Sequence, residues 1–440
     1  MKVEPIDKIL LIPLSRFIKN STTSGILLFA SAIIALILAN SPVKEAYHHF
    51  WELNFSIGFD EFVVSKSLHH WINDGLMSIF FFVVGLELKR EVMAGELSKP
   101  KEAVLPVLAG IGGMVVPACL YLIFNASGGT SSGWGIPMAT DIAFALGILY
   151  LLGDKIPMAL KVFLTALAIA DDLGAVMIIA VFYTSDISSM SLVAGGVFFS
   201  ILILANVLGV RNMGFYALVG IGGLWLAFLL SGVHATIAGV IAALTIPADV
   251  KIEDKQFVQK MNSLTNDFER SAPNNVSLIT YNQLHILEKI RFYSRAAMTP
   301  LQRLEHAMHP MVAYVVMPVF AIANAGITFS GSFFENLGSN VSLGVIFGLA
   351  FGKFIGIISV SKLVVKARLA TLPLGVSWRH MYGVALLAGV GFTMSLFITD
   401  LAFENPIHIV QAKIGVFVAS VCCGLLGYMI LSKRPSSSEV

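Results

Sequence analysis

Two adjacent aspartates, Asp171 and Asp172, interrupt the apolar stretch TALAIADDLGAVMIIA at residues 165–180. An ionised side chain at mid-bilayer depth costs roughly 2.5–3.5 kcal/mol or more, so an acid placed there usually has a function. Successive helical residues point about 100° apart, so the pair must line a cavity or a helix junction. Two close carboxylates titrate as a coupled pair, and their oxygens also suit a hard cation. The pair therefore predicts a site where protons and a monovalent cation compete; the alternative is a neutral, hydrogen-bonded pair that only stabilises packing.

Two further apolar stretches contain residues that weaken a helix. Thr140 and Asp141 follow a proline in GWGIPMATDIAFALG, and Gly391 precedes Thr393 in LAGVGFTMSLF. Interrupted helices at corresponding positions of two halves indicate the midplane site of a secondary transporter. A Pro-kinked ordinary helix is the alternative for the first stretch, although a buried aspartate favours a functional site.

Lys353 is the basic residue that lies deep in an apolar stretch, FGLAFGKFIGI. A buried lysine requires an acid or the carbonyl ends of interrupted helices nearby. A purely structural charge partner and a role in proton handling fit equally well.

The small-residue pattern around Lys353 resembles AGIGGMVVP at 109–117, which is a weak indication of an internal repeat. We expect 103–183 and 342–431 to be inverted repeats.

Ionisable residues also gather near the ends of the apolar stretches. Asp74 lies near a predicted outer end, where a functional acid and an exposed interfacial acid are equally reasonable. A second group lies at predicted cytoplasmic ends: Glu87, Arg90, Glu91, Glu305, His306 and His309. The H-x-x-H of RLEHAMHP is weak evidence for a metal site, and since histidine titrates near neutral pH, a pH-sensing entrance fits this group better.

The composition predicts that lipid surrounds these residues. The chain of 440 residues is 56% hydrophobic and 13% charged, whereas soluble domains contain about a quarter charged residues. Apolar stretches of about 17–25 residues, each able to cross a ~30 Å hydrocarbon core, occur about twelve times. They lie near 24–40, 69–88, 103–125, 134–152, 158–183, 190–208, 214–230, 232–247, 306–328, 342–365, 381–402 and 409–431.

Other features of the composition exclude alternatives. The formal net charge of +2 gives no reason to expect a nucleic-acid partner. Cys119, Cys422 and Cys423 all fall in apolar stretches and form neither a disulfide framework nor a zinc site. We expect no cofactor.

Lysine and arginine mark every second connection between the apolar stretches, which predicts that both chain ends are cytoplasmic. Residues 54–67, NFSIGFDEFVVSKS, alternate in polarity and predict a short periplasmic hairpin, with a plain loop as the alternative. Residues 248–303 form a long polar cytoplasmic loop that is either partly helical or a mobile linker. The expected fold is an all-α polytopic membrane protein with one transport domain over 1–440.

These motifs together resemble the NhaA-type bacterial sodium/proton antiporters. HHWINDGLMSIFFFVVGLELKRE, ATDIAFALG, LAIADDLGA, SGVHATIAG, RLEHAMHP and GVGFTMS follow one another at helix-length spacing across nearly all of 24–431. This family is itself among the examples on which the interrupted-helix rule rests. The resemblance implies a fold of about twelve transmembrane helices whose interrupted spans 4 and 11 cross near the midplane.

The resemblance also implies roles for individual residues. Asp171 and Asp172 look like the ligands of Na+ or Li+ and of protons, at the crossing formed by Thr140, Asp141, Gly391 and Thr393. By that likeness Asp141 balances the positive helix ends at the crossing, and Lys353 balances the negative ones. Asp74 matches an outer funnel. The residues that match a pH-sensing cluster are Glu87, Arg90, Glu91, Glu305, His306 and His309.

Two segments bear on the partners and the regulation. The hairpin at 54–67 resembles the segment through which this family forms homodimers. The loop at 248–303 is far longer than the family's short connection, so the pH set point does not follow from the resemblance.

We therefore expect a pH-regulated, electrogenic antiporter of the bacterial inner membrane that extrudes Na+ or Li+ as protons enter. An intramembrane di-aspartyl hydrolase using Asp141 and Asp171 is one rival, but such enzymes usually have a Gly-x-Gly-Asp context that neither aspartate shows. A cation channel is the other rival, although paired acids and interrupted helices suit tight, competitive binding better than rapid passage. We expect transport and no enzymatic activity.

Overall fold

The computed structural model describes residues 21–59, 62–184, 187–271, 278–329 and 333–433. Seventeen helices and one two-stranded sheet account for most of this part of the chain. The helices are α1 (Ser21–Ala39), α2 (Lys44–Glu52), α3 (Leu68–Ala94), α4 (Pro100–Phe124), α5 (Ile142–Leu151), α6 (Met158–Phe182), α7 (Ser189–Val207), α8 (Met213–Leu229), α9 (Ala235–Thr245), α10 (Asp254–Arg270), α11 (Tyr281–Ala297), α12 (Pro300–Asn324), α13 (Phe333–Leu337), α14 (Asn340–Lys366), α15 (Trp378–Leu387), α16 (Phe392–Ala402) and α17 (Pro406–Ser432).

Seven of these helices are long and apolar enough to cross a membrane, the segment Ser131–Leu151 that ends with α5 is an eighth span, and two bent pairs raise the number to ten. The bent pairs are α1 with α2 and α15 with α16, whose axes differ by 112° and 44°. The two remaining predicted stretches coincide with the shorter apolar helices α8 and α9. With 11 residues, α9 covers only about 16 Å. Every predicted apolar stretch thus falls on a helix or a bent pair, and the prediction of an all-α polytopic membrane protein is confirmed.

The predicted hairpin is present. Strand β1 (Asn54–Phe59) pairs antiparallel with β2 (Phe62–Ser67), from Asn54 opposite Ser67 to Phe59 opposite Phe62. The indole of Trp71, at the start of α3, donates a hydrogen bond of 2.8 Å to the carbonyl of Phe55 and ties the hairpin to the bundle. Residues 60–61 lie outside the described residues.

Most of the described part of the long loop at 248–303 is helical. Helix α11 begins with a capping box in which Thr280 and Gln283 satisfy each other's backbone N–H groups. At the base of the loop, the Lys251 N–H donates to the carbonyl of Ala296 at 3.0 Å. Only two residues separate α11 from α12, so the loop leads directly into the helix that carries Glu305.

The helices that carry the candidate site pack backbone to backbone through glycine. A Cβ added to Gly356 of α14 would lie 2.1 Å from the carbonyl oxygen of Gly112 of α4, and one added to Gly352 would lie 2.6 Å from Cα of Pro117. The two sequence patterns that resemble each other therefore belong to helices that pack against each other. Only glycine permits this approach, because the opposing atoms are backbone atoms that cannot turn aside.

Two clusters of buried apolar side chains divide the bundle, and the candidate site lies between them. On α6 one cluster extends to Leu167 and the other starts at Ala175. On α14 the boundary falls between Leu349 and Ile357. The polar residues at the centre of the chain thus occupy a layer between two apolar regions, where electrostatic interactions are strong because water is excluded.

Four spans contain π-helical turns that the sequence analysis did not predict. They are Trp71–Leu76 in α3, Gly220–Trp225 in α8, Val312–Val316 in α12 and Gly348–Gly352 in α14. Turns of this kind occur frequently at functional sites. The turn in α14 ends directly before Lys353, and the turn in α3 contains Asp74.

Candidate functional site: a buried acid pair at two crossing helix breaks

Two spans are interrupted where they cross. A 3₁₀ segment, Ser131–Met138, ends three residues before α5 begins, and α15 and α16 are separated at residues 388–391. The Asp141 N–H donates to the carbonyl of Val390 at 2.7 Å, and the Ser395 hydroxyl donates to the carbonyl of Ile136 at 2.8 Å. Backbone polar groups that lack a helical partner at each break are therefore hydrogen-bonded in part by residues of the other interrupted span. The membrane interior requires this, because no water is available there to bond them.

Asp141 caps the amino ends of two helices at once. Its Oδ1 accepts from the Phe144 N–H of its own helix, α5, at 3.0 Å. Its Oδ2 accepts from the Thr393 N–H of α16 at 3.1 Å, and also from the Thr393 hydroxyl. Each helix start carries about half an elementary positive charge, so one carboxylate balances both ends. Asp141 therefore lies at the amino ends of both helices, and the role that the resemblance implied for it stays a prediction.

Lys353 extends from α14 into the same layer and is fully buried. Its Nζ forms an ion pair with Asp171 Oδ2 and donates to the Thr140 hydroxyl at 2.9 Å. The Thr140 oxygen lies 2.8 Å from the carbonyl of Ala388, near the end of α15, and 2.9 Å from Asp171 Oδ2. Lys353 thus reaches an acid directly and a carbonyl helix end through Thr140, so both partners expected for a buried lysine are present.

Asp172 differs sharply from its neighbour. Both residues are 0% exposed, but neither carboxylate oxygen of Asp172 has a hydrogen-bond partner among the described residues. The same is true of Asp171 Oδ1, beside which Gly110 leaves room, since a Cβ there would lie 3.2 Å from that oxygen. An ionised carboxylate buried without a partner costs several kcal/mol. These surroundings favour the Asp172 carboxyl in its protonated form or in contact with a cation, and the role predicted for the pair stays a prediction.

The predicted cytoplasmic group also comes together. Arg90, near the end of α3, forms ion pairs with Glu305 of α12 and with Glu91, the latter at 2.8 Å. Glu87 lies within electrostatic range of Glu305. His306 and His309 are exposed on the same turns of α12. Among the described residues, no group of three or more histidines, cysteines and acids could hold a metal ion.

Asp74 lies in the π-turn of α3, near the hairpin. Its Oδ1 is 3.6 Å from Nε2 of His234, and its carbonyl accepts from the Trp225 indole at 3.2 Å. His234 caps α9 by accepting from the Thr236 N–H, and its ring packs against Phe397. Asp74 is thus held among three helices near the end of the bundle opposite to Arg90.

The sequence analysis missed a second, partly buried polar group at the hairpin end of the bundle, which we call the outer cluster: His69, Asn73, Asn324, Asp400 and Lys413. Asp400 Oδ1 lies 3.1 Å from Lys413 Nζ, and Asp400 Oδ2 accepts from Asn73 at 3.2 Å and lies 3.5 Å from His69 Nε2. Asn324 closes a ring by donating to Asn73 at 3.1 Å and contacting His69 at 2.9 Å. The sequence feature that could have revealed this cluster is Asp400, an acid in FITDLAF inside the predicted stretch 381–402.

A polytopic helical protein whose two interrupted spans cross at a buried acid pair belongs to the class of secondary transporters. Within that class, the chain belongs to the Na+/H+ antiporter 1 family, whose sequence model matches residues 15–431. The resemblance found in the sequence is confirmed.

Several relatives are similar to this chain over nearly its whole length. The Na(+)/H(+) antiporter NhaA of Oleidesulfovibrio alaskensis is 49% identical, with 97% of this chain and 95% of the relative covered. The Na(+)/H(+) antiporter NhaA 1 of Saccharophagus degradans is 47% identical, with 96% and 92% covered. The Na(+)/H(+) antiporter NhaA of Wolinella succinogenes is 47% identical, with 96% and 93% covered.

Proposed function

We propose that this chain is a bacterial inner-membrane antiporter that exchanges Na+ or Li+ for H+. The observation that carries the proposal is the buried carboxylate of Asp172, which has no partner among the described residues and lies beside the Lys353–Asp171 ion pair. The names of the three relatives support sodium/proton exchange, and they support transport rather than the hydrolase or the channel.

The exchange follows from competition for the same oxygens. When the site faces the cytoplasm, a cation displaces protons from Asp171 and Asp172; when it faces outward, protons displace the cation. Two routes supply the second proton: either both carboxylates are protonated on the return, or Lys353 carries one proton while paired with Asp171. The Lys353–Asp171 ion pair favours the second route, because a cation that takes Asp171 must compete with the ammonium group.

Either route moves charge. With two protons entering for each cation that leaves, one net positive charge crosses inward in every cycle. That charge gains about 2.3 kcal/mol per 100 mV, so an inside-negative potential drives Na+ out. Exchange that is insensitive to the membrane potential would contradict both routes.

Everted membrane vesicles with an acid interior test the function. The pH gradient is followed with a fluorescent weak base while Na+, Li+ or K+ is added at several external pH values. We expect Na+ and Li+ to collapse the gradient and K+ to leave it unchanged, with vesicles lacking the chain as the control. Absence of a response at every pH would refute the antiporter.

We propose that the Arg90 cluster sets the pH at which exchange becomes active. The Arg90→Gln variant removes the cation that pairs with Glu91 and Glu305, and the loss of a nearby cation disfavours the ionised form of an acidic cluster. Because Arg90 is partly exposed, we expect the half-activation pH to rise by roughly half a unit to one unit. The measurement is the pH profile of exchange in everted vesicles. Lys99→Gln removes an exposed cation at the same end of the bundle and should leave the half-activation pH unchanged. Equal shifts in both variants would refute the proposal that the Arg90 cluster sets this pH.

We propose that the chain dimerises through the hairpin at 54–67. The described sheet has two strands, each with one edge that has no backbone partner in the described chain, and such edges pair readily. Phe55, Ile57 and Val63 are each more than half exposed. Shortening 54–67 to a Gly-Ser turn is expected to leave a monomer in light scattering of the detergent-solubilised protein. A dimer that survives the deletion would place the interface elsewhere.

The orientation is part of the same proposal. The basic residues of every second connection favour cytoplasmic chain ends and a periplasmic hairpin. The segments 103–183 and 342–431 are proposed as inverted repeats, because each contributes one interrupted span and one of the two charged partners, Asp171 and Lys353.

A further inference from the structure

The outer cluster joins elements that belong to different parts of the bundle. His69 and Asn73 come from the start of α3 and Asn324 from the end of α12, whereas Asp400 comes from α16 and Lys413 from α17. The same helices α3 and α12 meet again at Arg90 and Glu305, about 25 Å away along their axes. A polar group therefore joins these two helices at each end, and of the two groups the outer cluster is the one that includes the interrupted span.

Helix α16 connects the outer cluster to the acid pair. It begins at the helix break, where the Thr393 N–H and hydroxyl bind Asp141, and Asp400 follows seven residues later. Seven residues are two helical turns, or about 10 Å. The helix has 11 residues and is bounded by the break before it and an extended residue, Phe403, after it. A rigid displacement of this short helix at its amino end would therefore also move Asp400.

An apolar layer lies beneath the outer cluster on the same helix. Phe397, one turn before Asp400, is fully buried, and its ring contacts Phe81 of α3, Phe320 of α12 and His234 of α9. Along α16 this layer lies between the helix break and Asp400. The polar cluster and the apolar layer bridge the same elements, α16 on one side and α3 with α12 on the other.

The outer cluster is expected to have two stable arrangements, formed and open. Both Asp400 oxygens are occupied, and the side chains of Asp400 and Lys413 are only 9% and 14% exposed. A buried carboxylate that loses one partner is strongly destabilised, so intermediate separations are disfavoured and the cluster is either formed or fully opened to water. Bistable contacts of this kind separate the states of a conformational change.

We propose that the outer cluster and the Phe397 layer form the outer gate of the transport cycle, with Asp400 as the positioning residue that keeps this gate shut while the acid pair faces the cytoplasm. The inference rests on the proposed exchange of Na+ for H+. Opening toward the outside requires α16 to separate from α3 and α12. Weakening the cluster therefore raises the population of the outward-facing state and leaves the cation ligands unchanged.

The test measures the apparent KM for Na+ from both sides, in everted and in right-side-out vesicles. In Asp400→Asn we expect KM at the outer face to fall about fivefold or more, since apparent affinity scales with the competent fraction. KM at the cytoplasmic face should stay constant or rise. The double variant Asp400→Asn/Lys413→Gln leaves no unpaired lysine and should show the same change, and His69→Gln a smaller one.

Glu404→Gln is the matched control, because it removes an exposed acid four residues after Asp400. Glu404→Gln should leave the apparent KM for Na+ unchanged at both faces. Variants that lose maximal rate with both KM values unchanged, or whose two KM values move in the same direction, would show a purely structural role and overturn the gate. Wild-type vesicles without sodium-dependent exchange would instead refute the proposed function itself, so the two failures are distinguishable.

Discussion

Asp172→Asn is expected to lower sodium-dependent exchange by about a hundredfold or more. The amide has nearly the same size as the carboxylate, but it can neither release a proton nor offer a charged ligand. A hundredfold loss corresponds to about 2.8 kcal/mol, which is less than the attraction of a unit charge for a cation at contact in a site shielded from water. The measurement is the initial rate of gradient collapse in everted vesicles.

The same substitution should not destabilise the protein. Since neither oxygen of Asp172 has a partner among the described residues, replacing the acid removes a buried group that is costly when ionised. We expect the melting temperature in detergent to be unchanged or higher. Asp267→Asn, an identical change at an exposed position of α10, is the control for exchange. Normal exchange by Asp172→Asn would show that Asp172 does not take part in ion transport.

Lys353→Met is expected to give the largest loss of stability. The variant leaves Asp171 buried and without its cation, and breaking a buried ion pair by removing one partner costs about 3–5 kcal/mol. Methionine keeps most of the side-chain volume, so the close contact between α4 and α14 is retained. The measurement is thermal unfolding in detergent, at a pH where the wild-type protein is stable.

A second substitution separates the charge from the packing. In Asp171→Asn/Lys353→Met both charges are gone, and we expect most of the lost stability to return even though exchange does not. Lys366→Met, at an exposed position at the end of the same helix, should have little effect. A double variant no more stable than Lys353→Met would mean that the ammonium group acts through packing and not through Asp171.

The sequence predicted those features of the fold that depend on local composition. Apolar stretches are recognisable one helix at a time, so the positions of the spans could be predicted, as could the hairpin at 54–67 from its alternation. Acids well inside an apolar stretch are equally conspicuous, which is why Asp141, Asp171 and Asp172 were identified before their contacts were known, whereas Asp400, two residues from the end of the stretch 381–402, was missed.

What the sequence did not predict depends on contacts between distant parts of the chain. A π-turn requires only one extra residue in a helix, so nothing in GLAFG distinguishes Gly348–Gly352 from an ordinary turn. The outer cluster escaped notice because His69 and Lys413 lie near the ends of apolar stretches, where polar residues usually face water. Its residues come into contact only in the folded protein, where α3, α12, α16 and α17 pack together.

The crossing of the two interrupted spans has a consequence for how the protein is made. Asp141 and the Thr393 N–H that it binds are 252 residues apart in the chain. At about 5–20 residues per second, a stretch of that length takes about 12–50 s to synthesise. During this interval the first interrupted span lies in the membrane with an acid that caps only one helix, and Asp171 waits for a lysine not yet made. Assembly of the ion site is therefore among the last events of biosynthesis, and the earlier spans must hold two incompletely paired acids in place until α14 and α16 arrive.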